Sequence, residues 1–341
     1  MNIKQSLNAL KPYKADQIDV PIVLNANETR NYLFQDPISI KENFASYPNA
    51  LGNPLRDKLA TKYNLKRDNF IIGNGSTELL DLTVKTFLNP GETMLTFTPS
   101  FSMYPIYATL YDANYVTIET EPDGSQSIDK LIQKAEEINP KIIFLCTPNN
   151  PTGTLVKKQD IIRLLNQTDA LVVLDEAYME FAKEKESLLK ESPNYPNLLV
   201  ARTFSKAYGL AYARLGFMSG NKSLIDTLLS VKLPYNVNGM SLQLGMDALD
   251  KDTQFNAFID ETINTRDTFY QACLDLGLDA VPSEGNFIFI KSTIDLYAGL
   301  LERGILIRSF NNNTYRISIG TKKTMQKTIK ALKEVLDNET S

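Results

Sequence analysis

Leu198-Leu199-Val200-Ala201-Arg202-Thr203-Phe204-Ser205-Lys206-Ala207-Tyr208-Gly209-Leu210 is followed closely by Arg214-Leu215-Gly216. An aliphatic run that reads as a buried strand breaks into hydroxyls, one lysine and, eight residues further on, an arginine. A strand that is apolar without alternation is covered on both faces, which is the habit of a parallel sheet between helices. The lysine admits two readings. It is a surface residue of a loop, or it forms a Schiff base with a carbonyl cofactor whose phosphate the hydroxyls and Arg214 hold. The segments around it decide between them.

Working outward, short apolar runs at 70–72, 94–97, 142–146, 171–174, 198–200 and 215–218 alternate with segments of helical spacing at 77–88, 128–138 and 158–166. This alternation predicts an α/β domain with a mostly parallel sheet flanked by helices. Beyond residue 240 the pattern changes. Residues 241–278 read as one or two long helices, 286–291, 305–310 and 315–319 as strands, and 293–303 and 322–338 as helices. That is a smaller α+β unit, and about the first 35 residues are expected to pack near it. The charged stretch 183–192 lacks apolar periodicity and reads as a solvated segment.

Composition excludes several kinds of function. The 341 residues carry a net charge of −4, with no dense Lys/Arg run, which argues against nucleic acid as a partner. No signal peptide and no apolar span of about 18 residues is evident, pointing to the cytoplasm and away from a membrane. Cys146 and Cys273 suggest neither a disulfide framework nor a metal site. The sequence has no histidine. Ser-His-Asp and Cys-His machinery and imidazole-ligated zinc are therefore excluded, and any general acid or base is Lys, Tyr, Cys, Asp or Glu.

Each apolar run ends in a polar cluster: Gly73-Asn74-Gly75-Ser76-Thr77-Glu78, then Thr98-Pro99-Ser100-Phe101-Ser102-Met103-Tyr104, Thr147-Pro148-Asn149-Asn150-Pro151-Thr152-Gly153, Asp175-Glu176-Ala177-Tyr178, and the lysine segment. Ligands of open α/β sheets bind beyond the carboxyl ends of the strands, so five such ends converge on one place. The first cluster is either a plain turn or an anion-binding helix start; it lacks the third glycine of a dinucleotide fingerprint and the Gly-Lys-Ser/Thr of a P-loop. Asp175, closing an aliphatic strand, is an N-cap, half of a buried ion pair, or the partner of a protonated ring nitrogen. Tyr178 is core, or reaches the same ligand. Arg308 shares a strand face with Leu306 and Phe310, and Arg316 one with Ser318 and Gly320. Each is a solvent-facing edge residue or a fork for carboxylate or phosphate.

Taken together, Asn150-Pro151-Thr152-Gly153, Asp175-x-x-Tyr178 and Ser205-Lys206 followed by Arg214 resemble, in that order, the fold-type I aminotransferases that depend on pyridoxal 5'-phosphate. The resemblance runs over residues 10–335 and is nearest to the histidinol-phosphate aminotransferase group. Softer marks carry that narrower likeness: Lys11-Pro12-Tyr13, Asn27-Glu28, Tyr47-Pro48, residues 231–238 and 283–287, and Tyr315-Arg316-Ile317-Ser318-Ile319-Gly320-Thr321. It implies three parts: 1–35 packing with the small domain, a large cofactor-binding domain at 36–238, and a small C-terminal domain at 239–341.

Carried over by residue, the resemblance implies Lys206 as the Schiff-base lysine and Asp175 as the partner of the pyridine nitrogen. Asn150 and Tyr178 would bond the phenolic oxygen, and Tyr104 would stack on the ring. Ser76, Thr77, Thr203, Ser205 and Arg214 would hold the phosphate, with Tyr47 reaching it from the neighbouring subunit of a homodimer. Arg308, Arg316, Tyr13 and Asn236 would bind the anionic end of the substrate. The implied reaction is transamination between L-histidinol phosphate and 2-oxoglutarate.

The sequence departs from the group's pattern at Thr29-Arg30-Asn31-Tyr32-Leu33, where a Pro-Tyr-Gly-Pro-like run is common, and at Ser76-Thr77-Glu78, where Ser-Asp-Glu is common. Rival readings are an aromatic-amino-acid aminotransferase, a decarboxylase of a phosphorylated amino acid, and a hydrolase using Ser205 and Lys206. A DNA-binding regulator built on the same domain would need a helix-turn-helix, for which there is no space before residue 40.

Overall fold

The computed structural model describes residues 4–12, 18–36, 38–39, 44–310 and 313–339. Its central sheet contains seven strands in the order β2-β8-β7-β6-β5-β3-β4. These are β2 (Phe70–Gly73), β3 (Thr93–Thr98), β4 (Asn114–Glu119), β5 (Ile142–Cys146), β6 (Leu171–Asp175), β7 (Leu198–Thr203) and β8 (Gly216–Gly220). β8 alone runs opposite to the other six strands. Side chains alternate across a strand, and the alternation sorts them into two cores. Ile143, Leu145, Val172, Leu174, Leu198 and Val200 enter one. Ile142, Phe144, Leu171, Val173, Leu199 and Ala201 enter the other. Both faces are thus buried, which is why these runs read as uniformly apolar.

Helices cover the two faces. On the first lie α1 (Asn53–Tyr63), α4 (Ile128–Ile138), α5 (Lys158–Asn166) and α7 (Gly239–Leu249). On the second lie α2 (Gly75–Phe87), α3 (Tyr104–Leu110) and α6 (Lys222–Val231). Helix α4 shows the logic: Ile128, Leu131, Ile132 and Ala135 are buried at helical spacing, and the Ser127 hydroxyl caps the first turn by accepting from Lys130 N–H.

The long helix α8 (Asp252–Asp275) bridges two cores. Phe255, Phe258 and Ile259 pack beneath the central sheet, whereas Phe269 and Cys273 pack in a third core. Between them Arg266, 1% exposed, donates to the carbonyls of Phe181 and Gly285 at 3.0 and 3.2 Å. The third core lies against a four-stranded antiparallel sheet, β12-β13-β10-β9. Its strands are β9 (Asp279–Val281), β10 (Phe287–Lys291), β12 (Arg308–Phe310) and β13 (Thr314–Ser318), with helices α9 (Leu296–Leu301) and α10 (Lys322–Glu339). The N-terminal segment joins here as β1 (Ile22–Val23), pairing in parallel with β11 (Ile305–Leu306).

Two expectations are corrected. Residues 305–310 form two short strands, because Ile305–Leu306 pairs with the N-terminal segment and Arg308–Phe310 with β13. Arg308 therefore does not share a continuous strand face with Leu306. Nor is 183–192 simply solvated. Leu188 and Leu189 are buried, and Ser187 donates to the Glu176 carboxylate and accepts from Arg202 at 2.7 and 2.9 Å. Among the described residues no helix is long and apolar enough to cross a membrane.

Candidate active site

The carboxyl ends of β2, β3, β5, β6 and β7 meet at one edge of the central sheet, and the polar clusters gather there. Asp175 ends β6, 4% exposed. Burial pushes its carboxyl up to about 6, against the pull of the Tyr104 hydroxyl and the Ala177 N–H, which donate to it at 3.1 and 3.3 Å. A carboxylate so placed gains most from a cationic hydrogen-bond donor.

Lys206 follows β7, its Nζ donating to the Ala26 carbonyl at 2.8 Å. Its amine is brought down to about 7, first by burial and then by the positive charges of Arg316 and Arg214, with Glu28 and Asp175 opposing. An amine that is neutral near neutral pH is a nucleophile and a proton carrier.

Tyr178 is 4% exposed, with Phe287 edge-on at 5.0 Å. Its hydroxyl accepts from the Asn27 side chain at 3.0 Å. Asn150 accepts from Arg316 Nη1, and Arg316 Nη2 donates to the Asn25 carbonyl at 2.7 Å. Arg308 and Arg316 stand directly opposite each other on β12 and β13, and both lie 5.8 Å from the Phe310 ring.

A third group forms an anion cradle. Helix α2 begins at Gly75, and its first turn carries N–H groups without intrahelical partners. Gly75 has φ +79°, and a Cβ there would lie 2.7 Å from Arg214 Nη2. A side chain there would push the guanidinium end aside, and the positive φ itself favours glycine. Arg214 Nη1 donates to Ser205 Oγ at 3.3 Å, and Ser205 N–H to Thr203 Oγ1 at 3.1 Å. Ser76 and Thr77 lie in that first turn of α2. Amine, buried carboxylate and phosphate cradle are the three grips that pyridoxal 5'-phosphate needs, so the residues present fit it.

Four expected residues stand apart from this picture. Tyr104 begins α3 and turns inward: it is fully buried, stacked on Phe144 at 4.7 Å, with its hydroxyl on Asp175. Its ring offers no open face, so the stacking expected of it is not what the structure shows. Asn236 bonds Lys232, Glu78 and the Ile72 carbonyl, beside the phosphate cradle. Tyr47 is 81% exposed and stacks on Tyr235 at 4.6 Å. Tyr13 lies outside the described residues.

Sequence reasoning missed two side chains. Phe101, half-buried and edge-on to Tyr104 at 5.6 Å, is the aromatic at the rim of this cluster. It lies within the run 98–104, but nothing in the spacing tells which ring faces inward. Asn27 is wholly buried and bonds Tyr178. In the sequence it stands out only as part of the Asn27-Glu28 pair.

The profile of the family "Aminotransferase class I and II" matches residues 10–332. A histidinol-phosphate aminotransferase of Carboxydothermus hydrogenoformans is 35% identical, over 98% of both chains. One from Caldanaerobacter subterraneus is 31% identical, again over 98% of both. The crystal structure of histidinol-phosphate aminotransferase from Sinorhizobium meliloti, in complex with pyridoxal-5'-phosphate, has the same fold, with a TM-score of 0.89 at 21% identity over 98% of each chain. With this match over nearly its whole length, the chain belongs to the class I and II aminotransferases, and it is an aminotransferase that uses pyridoxal 5'-phosphate.

Proposed function

We propose that this aminotransferase moves an amino group between L-histidinol phosphate and 2-oxoglutarate, giving imidazole-acetol phosphate and glutamate. The observation that carries the substrate is the arginine pair. Arg308 and Arg316, opposed on β12 and β13 with Phe310 beside both, make two guanidinium forks on one face. Such a pair accepts a phosphate monoester in one half-reaction and a carboxylate in the other. The names of the curated relatives support the same substrate.

When bound, pyridoxal 5'-phosphate supplies an aldehyde that captures the substrate's amine and a ring that draws electrons from its α-carbon. In our reading the chain's own groups do the rest. Lys206 carries the proton from the substrate α-carbon, the only amine suited to that task in a protein with no histidine. Asp175, braced by Tyr104, keeps the ring nitrogen protonated. Tyr178 and Asn150 hold the phenolic oxygen. Ser76, Thr77, Thr203, Ser205 and Arg214 hold the phosphate. Phe101 covers the ring in place of Tyr104. Tyr13 and Asn236 stay candidates for the substrate's anionic end.

A homodimer fits the surface. Phe44, Tyr47, Tyr212, Leu233 and Met240 are exposed apolar side chains on the large unit. Tyr47 would then reach the phosphate of the adjacent site. The two bodies would follow the division at 36–238 and 239–341, with 1–35 against the smaller, except that α7 and the start of α8 pack in the larger core, so that α8 links the two. Two buried free cysteines accord with the cytoplasm.

A panel of amino donors tests the substrate. L-Histidinol phosphate should be converted with the highest kcat/KM, with glutamate formed from 2-oxoglutarate. Preference for phenylalanine or tyrosine, or release of carbon dioxide from threonine phosphate, would replace this substrate with the corresponding rival.

A further inference from the structure

Asn27 is fully buried and has φ +53°, a left-handed conformation that asparagine and glycine tolerate best. It sits where four segments meet. Its backbone N–H donates to Ser318 Oγ on β13 at 2.9 Å, and its carbonyl accepts from Asn286 at 3.1 Å. Its side-chain Oδ1 accepts from Ser318 Oγ at 2.9 Å, and its Nδ2 donates to the Tyr178 hydroxyl at 3.0 Å.

Counting protons fixes the direction of this chain. Ser318 Oγ has one hydrogen. Ser318 is 2% exposed and already accepts from the Asn27 N–H, so its own hydrogen goes to Oδ1. Turning the amide over would strand that hydrogen in a buried place. Oδ1 therefore faces Ser318, and Nδ2 faces Tyr178. A phenol oxygen that receives a donor on this side must send its own hydrogen elsewhere.

We infer that Asn27 is a positioning residue: held by Ser318, it donates to Tyr178 and so directs the Tyr178 hydroxyl proton toward the cofactor's phenolic oxygen. The inference rests on the cofactor site proposed above. It ties the N-terminal segment and strand β13 to the electronics of the ring, although neither supplies a group that touches it at this point. The phenol is also faced by the charges of Arg316 and Asp175, which act on it whatever Asn27 does, and by the Cys146 thiol, which burial keeps neutral. The effect of Asn27 is therefore read with substitutions that leave charge unchanged.

The test is the pH titration of the visible absorption of the lysine-bound cofactor in the loaded enzyme. Asn27→Gly keeps the left-handed backbone and removes only the amide. Its titration midpoint should rise by about one unit, because the phenolate-stabilising donor is no longer aimed. Ser318→Ala, which frees the amide to turn, should move the midpoint the same way by less, and Ser318→Thr should restore it. Neither substitution should move the midpoint in a Tyr178→Phe background. An equal shift in that background, or no shift in either single variant, overturns the proposal while leaving the cofactor reading standing. If the unmodified enzyme shows no visible band, the cofactor reading falls and the proposal with it.

Discussion

The amine of Lys206, brought down to about 7 by burial and then by Arg316 and Arg214, has a consequence that can be measured without any cofactor. An ordinary lysine titrates near 10.4, so at pH 7 only about four in ten thousand of its molecules are neutral. With its amine near 7, about half of Lys206 would be neutral at that pH, a gain in free-amine fraction on the order of a thousandfold. The assay is trace acetylation of the apoenzyme by acetic anhydride from about pH 5 to 11, quantified on the peptide containing Lys206. The labelling rate should rise to a plateau with a midpoint near 7. Arg316→Met, which removes a neighbouring positive charge, should move that midpoint up by about one unit.

The same shift enters stability. Between pH 7 and 10.5 the unfolded chain holds a proton on this amine that the folded chain does not, so the contribution of Lys206 to stability rises with pH across that window and is flat below it. Lys206→Met should abolish this part of the slope. A labelling midpoint at or above about 9, or one indifferent to Arg316, would refute the reasoning.

Other expectations follow from single contacts. Gly75→Ala places a methyl against Arg214 at a positive φ, and should weaken cofactor affinity by about tenfold or more with a stability loss of about 1 kcal/mol, read by fluorescence titration and urea melts. Tyr104→Phe removes a donor to Asp175 and should lower kcat by roughly tenfold while KM moves little, in steady-state kinetics. Arg202→Met strands the buried carboxylates of Glu176 and Glu180 and should cost about 3–5 kcal/mol in denaturant unfolding. Arg316→Ala should raise KM for anionic substrates far more than the cofactor dissociation constant.

The central sheet was legible because its strands are buried on both faces. Ile142–Cys146 and Leu171–Asp175 stand where the apolar runs put them, to within a residue. Asn114–Glu119 escaped notice because it is the edge strand β4, half-exposed, and mixes polar with apolar residues. The split of 305–310 depends on pairing with Ile22–Val23, a contact nearly three hundred residues away that local pattern cannot carry. At the site, the polar clusters at the strand ends pointed to one place for Lys206, Asp175, Tyr178 and Asn150, and only the family resemblance added Arg316, which lies against Asn150. It could not show that Tyr104 turns inward, since the start of α3 sets that direction. Nor could it show that Asn27 reaches Tyr178 across 151 positions of sequence.

Adding L-histidinol phosphate alone to the cofactor-loaded enzyme, and following the visible band of the lysine-bound cofactor, tests Lys206 and the substrate together. The band should disappear as the cofactor takes up the amino group, and 2-oxoglutarate should restore it with one glutamate formed per site. A band that forms but is untouched by L-histidinol phosphate would contradict the proposed substrate, and no band at all would contradict the assignment of Lys206.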